Sequence, residues 1–189
     1  LWCGVCLLFW KALDPGESQV RLWIVRLLGD ERKLPSDFAA RVAVLAKTEP
    51  NIEVRGQFAA SAKRLPYDQS LPIIRNLMLH DEDLNDPRQP LMIWWALEAA
   101  IDPWSRTSLN AIGPESVEID SVRRPSERPA SESPVLRLFD DKALWTRPLV
   151  QKEILPRLMR RFSSTGQRAD LAICASLLTA SPSPEATKA

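Results

Sequence analysis

Apolar residues recur along this chain at spacings of three and four, the signature of helices with one buried face. Val20, Ile24, Leu27 and Leu28 stripe a first segment, with Trp23 beside them, and Gly29 is expected to end it. Phe38, Val42, Leu45 and Ala46 stripe a second, with Ser36 as its expected cap and Glu49-Pro50 as its stop. Over 51–64 the stripe is Val54, Phe58, Ala59 and Ala62, closed by Leu65-Pro66. Asp68 is the expected cap of a helix carrying Leu71, Ile74, Leu77 and Met78, with Pro72 in its first turn or just beyond. Past an acidic loop at 80–86, Asp86-Pro87 opens a helix over 90–101 that is apolar on nearly every face. Such a helix needs cover on two sides.

The two ends and one internal stretch depart from this rhythm. Residues 1–13 are apolar almost throughout and suit a buried helix, broken by Asp14-Pro15-Gly16. Residues 101–134 hold Pro103, Pro114, Pro125, Pro129 and Pro134 among serines, which predicts a long loop or disordered insertion. Pattern resumes with a short helix at 141–145. A longer one follows, striped by Val150, Ile154, Leu158 and Phe162 and expected to bend at Pro156. Gly166 separates it from a last helix with Leu171, Cys174, Ala175 and Leu178, and the polar tail has nothing to bury. The expected organisation is therefore 1–102 helical repeats, 103–134 insertion, 135–179 a C-terminal helical repeat and 180–189 disordered tail.

Aligning the second helix of each pair brings Val20-Arg21, Val54-Arg55 and Pro90-Leu91 into register at intervals of 34 and 36 residues. Helix pairs at a steady period predict an all-α chain, an α-solenoid of about four antiparallel hairpins stacked with a right-handed turn. Arg21 and Arg55 are expected to pair with nearby acids, Glu17 and Glu53. Val-Arg opening the second helix, followed by small or aliphatic residues and Leu-Gly, resembles the short bacterial HEAT repeat. The runs RLLGDERK, EVRGQFAASAKRLP, LPIIRNLMLHDED, DPRQPLMIWWALE and ILPRLMRRF resemble the repeat region of the large membrane-associated dehydrogenase-like proteins of planctomycetes. The resemblance implies a β-propeller before such repeats and a c-type cytochrome module after them, in an extracytoplasmic, cell-envelope setting. Neither the propeller nor a haem-attaching C-x-x-C-H occurs in this sequence.

Composition narrows the function classes. The apolar share of 45% supports a sizeable core, and a net charge of +1 removes the electrostatic argument for nucleic acid. No apolar run reaches the ~18–20 residues of a bilayer span. The chain lacks an initiator Met and opens inside an apolar element, which suggests a piece of a longer polypeptide. Three cysteines supply no disulfide framework. Cys3 and Cys6 form a C-x-x-C with Leu7 in place of the haem histidine, and buried structural cysteines are the plainer reading; Cys174 falls on a core face. His80, the only histidine, is expected at a helix C-terminus, where an imidazolium suits the dipole. Asp81, Asp83 and Asn85 mimic the start of a calcium loop. Asp86 stands where glycine is required, however, and Met92 where a closing glutamate is required. Trp23, Trp94 and Trp95 suit packing better than an aromatic binding face. Arg123-Arg124 and the basic run at 157–161 suit solvated surfaces. No catalytic, cofactor-binding or metal-ligating residue is assigned. The expected function is a non-catalytic scaffold that positions neighbouring protein modules, with a stand-alone adaptor as the alternative and an enzyme built on His80 last.

Overall fold

A computed structural model describes residues 17–105 and 133–182, the side chains of 102–105 excepted. Every regular element among the described residues is helical. The helices are α1 Ser18–Asp30, α2 Ser36–Thr48, α3 Ile52–Ala62, α4 Tyr67–Leu77 and α5 Gln89–Ser105, with a 3-10 turn, Asp81–Asn85, between the last two. From residue 133 onward come α6 Pro134–Phe139, α7 Lys142–Trp145, a π turn Val150–Ile154 that runs into α8 Leu155–Ser164, and α9 Arg168–Ala180.

Neighbours in space are next-but-one in sequence. Helix α1 packs on α3 and α3 on α5, while α2 packs on α4 and α4 on α6. The two rows meet where α4 lies against both α3 and α5. Further along, α5 also receives the π turn, and α9 packs on α8 and α6. The all-round apolar helix α5 thus has cover on several sides, as its sequence requires. Phe58, Ile74, Leu77, Ile93, Leu97, Ile154, Leu158 and Phe162 belong to one continuous core.

Helix ends follow local chemistry, with corrections. Asn51 caps α3, its side-chain oxygen accepting the N–H groups of Glu53 and Val54. Asp141 likewise accepts the Ala143 N–H at the start of α7. Ser36 does not cap α2; it is the first helical residue, after Pro35. Asp68 does not cap α4, which starts at Tyr67, and Pro72 falls just beyond the first turn. Pro134, read above as part of the insertion, instead opens α6, since proline near a helix start forgoes a hydrogen bond that is absent anyway. The π turn lies directly ahead of Pro156, whose ring crowds the carbonyl four residues back in a regular α-helix; one wider turn relieves that clash.

Gly29 is a correction of a different kind. It lies inside α1, not past its end, and the left-handed residue in the following turn is Arg32, at φ 58°. A Cβ on Gly29 would stand 2.6 Å from the Ser61 Cβ, so glycine is there to let α1 and α3 approach. The stripe of α1 is rotated too: Ile24, Val25 and Leu28 are buried, whereas Val20, Trp23 and Leu27 are about half exposed. In α9 the core face is Ile173, Cys174 and Leu177, with Leu171 and Leu178 outside. The expected helix at 1–13 and the insertion over 106–132 lie outside the described residues, as does the tail beyond Pro182.

Candidate functional site

Polar side chains are concentrated where α1 and α3 begin and where α2 and α4 end. Arg21 and Arg55 are each the fourth residue of their helices. Neither relies on the acid expected beside it. Arg21 donates through Nε and Nη2 to the Glu49 carboxylate at 2.8 and 2.7 Å, 28 residues on. Arg55 donates through Nε to Asp83 Oδ2 at 2.8 Å, again 28 residues on, and through Nη2 to Oδ1. Glu53 instead faces Arg88 Nη2 at 3.1 Å. Arg55 Nη1 also donates to the carbonyls of Glu49 and Pro50, both at 2.9 Å, joining the two pairs into one ladder. With Arg55 4% and Asp83 0% exposed, the second pair lies inside the protein. Hydrogen bonding to Asp83 holds the Arg55 guanidinium above its ordinary range, against the pull of burial.

Further ties also reach back over a similar stretch of sequence. Ser61 Oγ donates to the Val25 carbonyl at 2.8 Å and Asn76 Nδ2 to the Ala43 carbonyl at 2.6 Å. Gln69 forks onto Leu34, accepting its N–H at 2.9 Å and donating to its carbonyl at 2.8 Å. Nothing in the local sequence around Ser61, Gln69 or Asn76 announces these bonds; the shared offset of 33 to 36 residues is the signal that links them.

His80 belongs to this set. Its Nε2 lies 2.9 Å from the Ala46 carbonyl, which can only accept, and its Nδ1 lies 2.9 Å from Glu82 Oε1. Among the described residues no hydroxyl or thiol joins it, so the partners of a nucleophilic dyad are not assembled there. Burial pushes the Glu82 carboxyl up, but the contacts with His80, local backbone and Arg55 leave it below its usual range.

The acidic loop is divided among separate partners. Asp81 faces Arg147 at 3.1 Å, Asp83 is held by Arg55, and Asp86 accepts the N–H groups of Arg88 and Gln89 at 2.8 and 2.7 Å. Those two backbone bonds hold the Asp86 carboxyl below its usual range, as expected of a cap at the start of α5. Among the described residues no group of three or more His, Cys, Asp or Glu side chains is placed to hold a metal ion.

The other sequence candidates are dispersed. Cys174 is buried, with Sγ 3.8 Å from the Met159 carbonyl, and burial pushes its thiol up. Trp94 is buried; Trp95 is exposed, with Lys63 Nζ 5.9 Å from its ring centre, and Trp23 has the Arg26 guanidinium at 5.2 Å. Arg157 pairs with Glu153 and Arg161 with Glu98. Cys3, Cys6, Arg123 and Arg124 lie outside the described residues.

Recesses among the described residues include the following. A shallow groove of about 540 Å³ runs between the start of α4 and α6, bordered by Tyr67, Leu71, Arg75 and Arg137. A smaller cleft of about 180 Å³ lies over Gly56, between α1 and the start of α5. No helix among the described residues is long and apolar enough to cross a membrane. Comparison of the chain with protein-family profiles, with curated proteins and with solved structures returns no match.

Proposed function

We propose that this chain is a non-catalytic, HEAT-like solenoid segment that positions neighbouring protein modules. One observation carries the reading. Arg21 and Arg55 stand 34 residues apart, as do their carboxylates Glu49 and Asp83, so the same ion pair recurs at the same place in consecutive helix pairs. A repeating internal ladder is the interior of a stack, in which each unit buries itself on its neighbour. The polar side chains that a catalyst would need are engaged in that ladder: His80 bonds a carbonyl and a carboxylate, and Asp83 holds Arg55.

The family resemblance extends the proposal: the modules served would be a dehydrogenase-like propeller and a c-type cytochrome at the cell envelope. The decisive measurement is the native polypeptide in its host, detected on a denaturing gel with an antibody to this chain and stained for covalently bound haem. A haem-positive band far above 21.3 kDa supports the spacer. A haem-free band near 21.3 kDa refutes it and leaves a stand-alone adaptor.

A further inference from the structure

Three exposed apolar side chains of α1 hold positions that are covered in the helices that follow it in the same row. Val20, Trp23 and Leu27 lie at i, i+3 and i+7, on one face of the helix, and are 45, 55 and 46% exposed. At the interval of 34 residues, α3 carries Val54, Gln57 and Ser61 in their places, and 36 residues further on α5 carries Pro90, Ile93 and Leu97. Gln57 is half-buried and the other five are buried. In α3 this face is turned to α1. Ser61 Oγ bonds the Val25 carbonyl, Ser61 stands against Gly29, and Arg64 pairs with Asp30. These contacts advance together along both helices, from Val25 and Ser61 to Asp30 and Arg64, so α1 and α3 run parallel. Helix α5 packs on α3 in turn.

We propose that Val20, Trp23 and Leu27 dock one further amphipathic helix, parallel to α1 and supplied by a neighbouring module of the same polypeptide. The argument is continuity: the face by which α3 receives α1 is present on α1 itself, in the same register. It is more apolar there, with Trp23 and Leu27 where α3 has Gln57 and Ser61. Such a face does not suit the end of a stack, where a polar outer surface keeps a repeat array soluble. Nor does it suit a separate protein by itself. A stable complex needs ~800 Å² a side, far more than one face of a 13-residue helix, about 20 Å long and 10 Å wide, can offer. A helix joined to this chain has a high effective concentration and needs no such area. With no charge among the three side chains, the occupant presents aliphatic residues at spacings of three and four. Arg26, 5.2 Å from the Trp23 ring centre, sets a cation at the edge for an acidic residue beside that stripe. The face stands on the register of α1, α3 and α5; only the source of the helix rests on the scaffold reading.

The test places the photoreactive residue p-benzoylphenylalanine in turn at Val20, Trp23 and Leu27 of the native polypeptide in its host, with Trp95, 47% exposed, as the control. All four positions are exposed, so the substitutions leave the core intact. After irradiation, mass spectrometry of the proteolytic fragments should find adducts from the three α1 positions at least tenfold more often than from Trp95. They should fall on one apolar helical segment of the same polypeptide, outside the 189 residues of this chain. Moving the probe from 20 to 27, about 10.5 Å along α1, should move the adduct about seven residues in the same direction. Four results overturn the docking face: adducts no more frequent than at Trp95, adducts on residues 1–13, adducts on a second copy of the chain, or a shift in the opposite direction. Parallel adducts on a separate polypeptide overturn the tethered source alone. The adduct pattern is read independently of haem content, so its failure and that of the redox spacer remain distinct.

Discussion

Replacing Arg55 by methionine tests the ladder directly. The variant keeps the length and most of the packing of the side chain but removes its charge and all its donors. It strands the Asp83 carboxylate, which is 0% exposed, and takes hydrogen bonds from the Glu49 and Pro50 carbonyls. Breaking a buried pair from one side costs about 3–5 kcal/mol. Each lost carbonyl bond adds about 0.5–1.5 kcal/mol, less where water reaches the Pro50 oxygen. A loss of about 4–7 kcal/mol is therefore expected, a large part of the ~5–15 kcal/mol that folds a typical domain. Asp83→Ala should cost less, about 2–3 kcal/mol by the same reasoning, because Arg55 keeps both carbonyls and has Glu82 at 3.7 Å. Arg55→Met combined with Asp83→Leu should be milder than the sum of the two single changes by about 2–3 kcal/mol. Arg21→Met, at a pair less deeply buried on the arginine side, should cost about 1–2 kcal/mol. Urea unfolding followed by tryptophan fluorescence and far-UV circular dichroism reads all four, provided the m-value is unchanged. A loss below about 1 kcal/mol for Arg55→Met, or strict additivity in the double variant, would refute a buried, coupled pair.

Gly29→Ala should destabilise by about 1–3 kcal/mol in the same assay, although alanine is the better helix former by about 1 kcal/mol, because its methyl would meet Ser61 at 2.6 Å. A stabilised variant would mean that α1 and α3 are not in close contact there. Asp86→Ala should lose about 1 kcal/mol near neutral pH. The Asp86 carboxyl is depressed by the Arg88 and Gln89 N–H groups, so its stabilising effect is complete above its ordinary pKa of 3.8 and disappears as pH falls through the lower folded value. The gap between wild type and variant should thus close in acid, and a gap that widens there contradicts the capping role.

The helices of this chain were legible because their apolar spacing is local information. Val54, Phe58, Ala59 and Ala62 carry the apolar period of α3 and are buried, and Asp86 accepts the Arg88 and Gln89 N–H groups where α5 begins. Legibility failed where the deciding contact is remote. Glu53 is near Arg55 in sequence, but Asp83 is the carboxylate delivered to it when α4 folds back on α2. The face of α1 that is buried depends on where α3 lies, so Val20 and Leu27 fit the helical period as well as Val25 does and are nonetheless outside. Proline misled at one place: Pro134, grouped with the insertion by its neighbours, starts a helix. The cleft was not legible at all, because a glycine in mid-helix and a glutamine after a proline carry no distinctive pattern.

The cross-ties have a direction. Ser61, Gln69, Asn76 and His80 each present a side chain to a main-chain carbonyl of an earlier residue, respectively Val25, Leu34, Ala43 and Ala46. A carbonyl is supplied by any amino acid, so the receiving positions are read as shape rather than as letters. Mutational freedom is therefore lopsided: the earlier residue of each contact can change its side chain and keep the bond, while the later one cannot. The accepting side of each contact can therefore drift in sequence without loosening it.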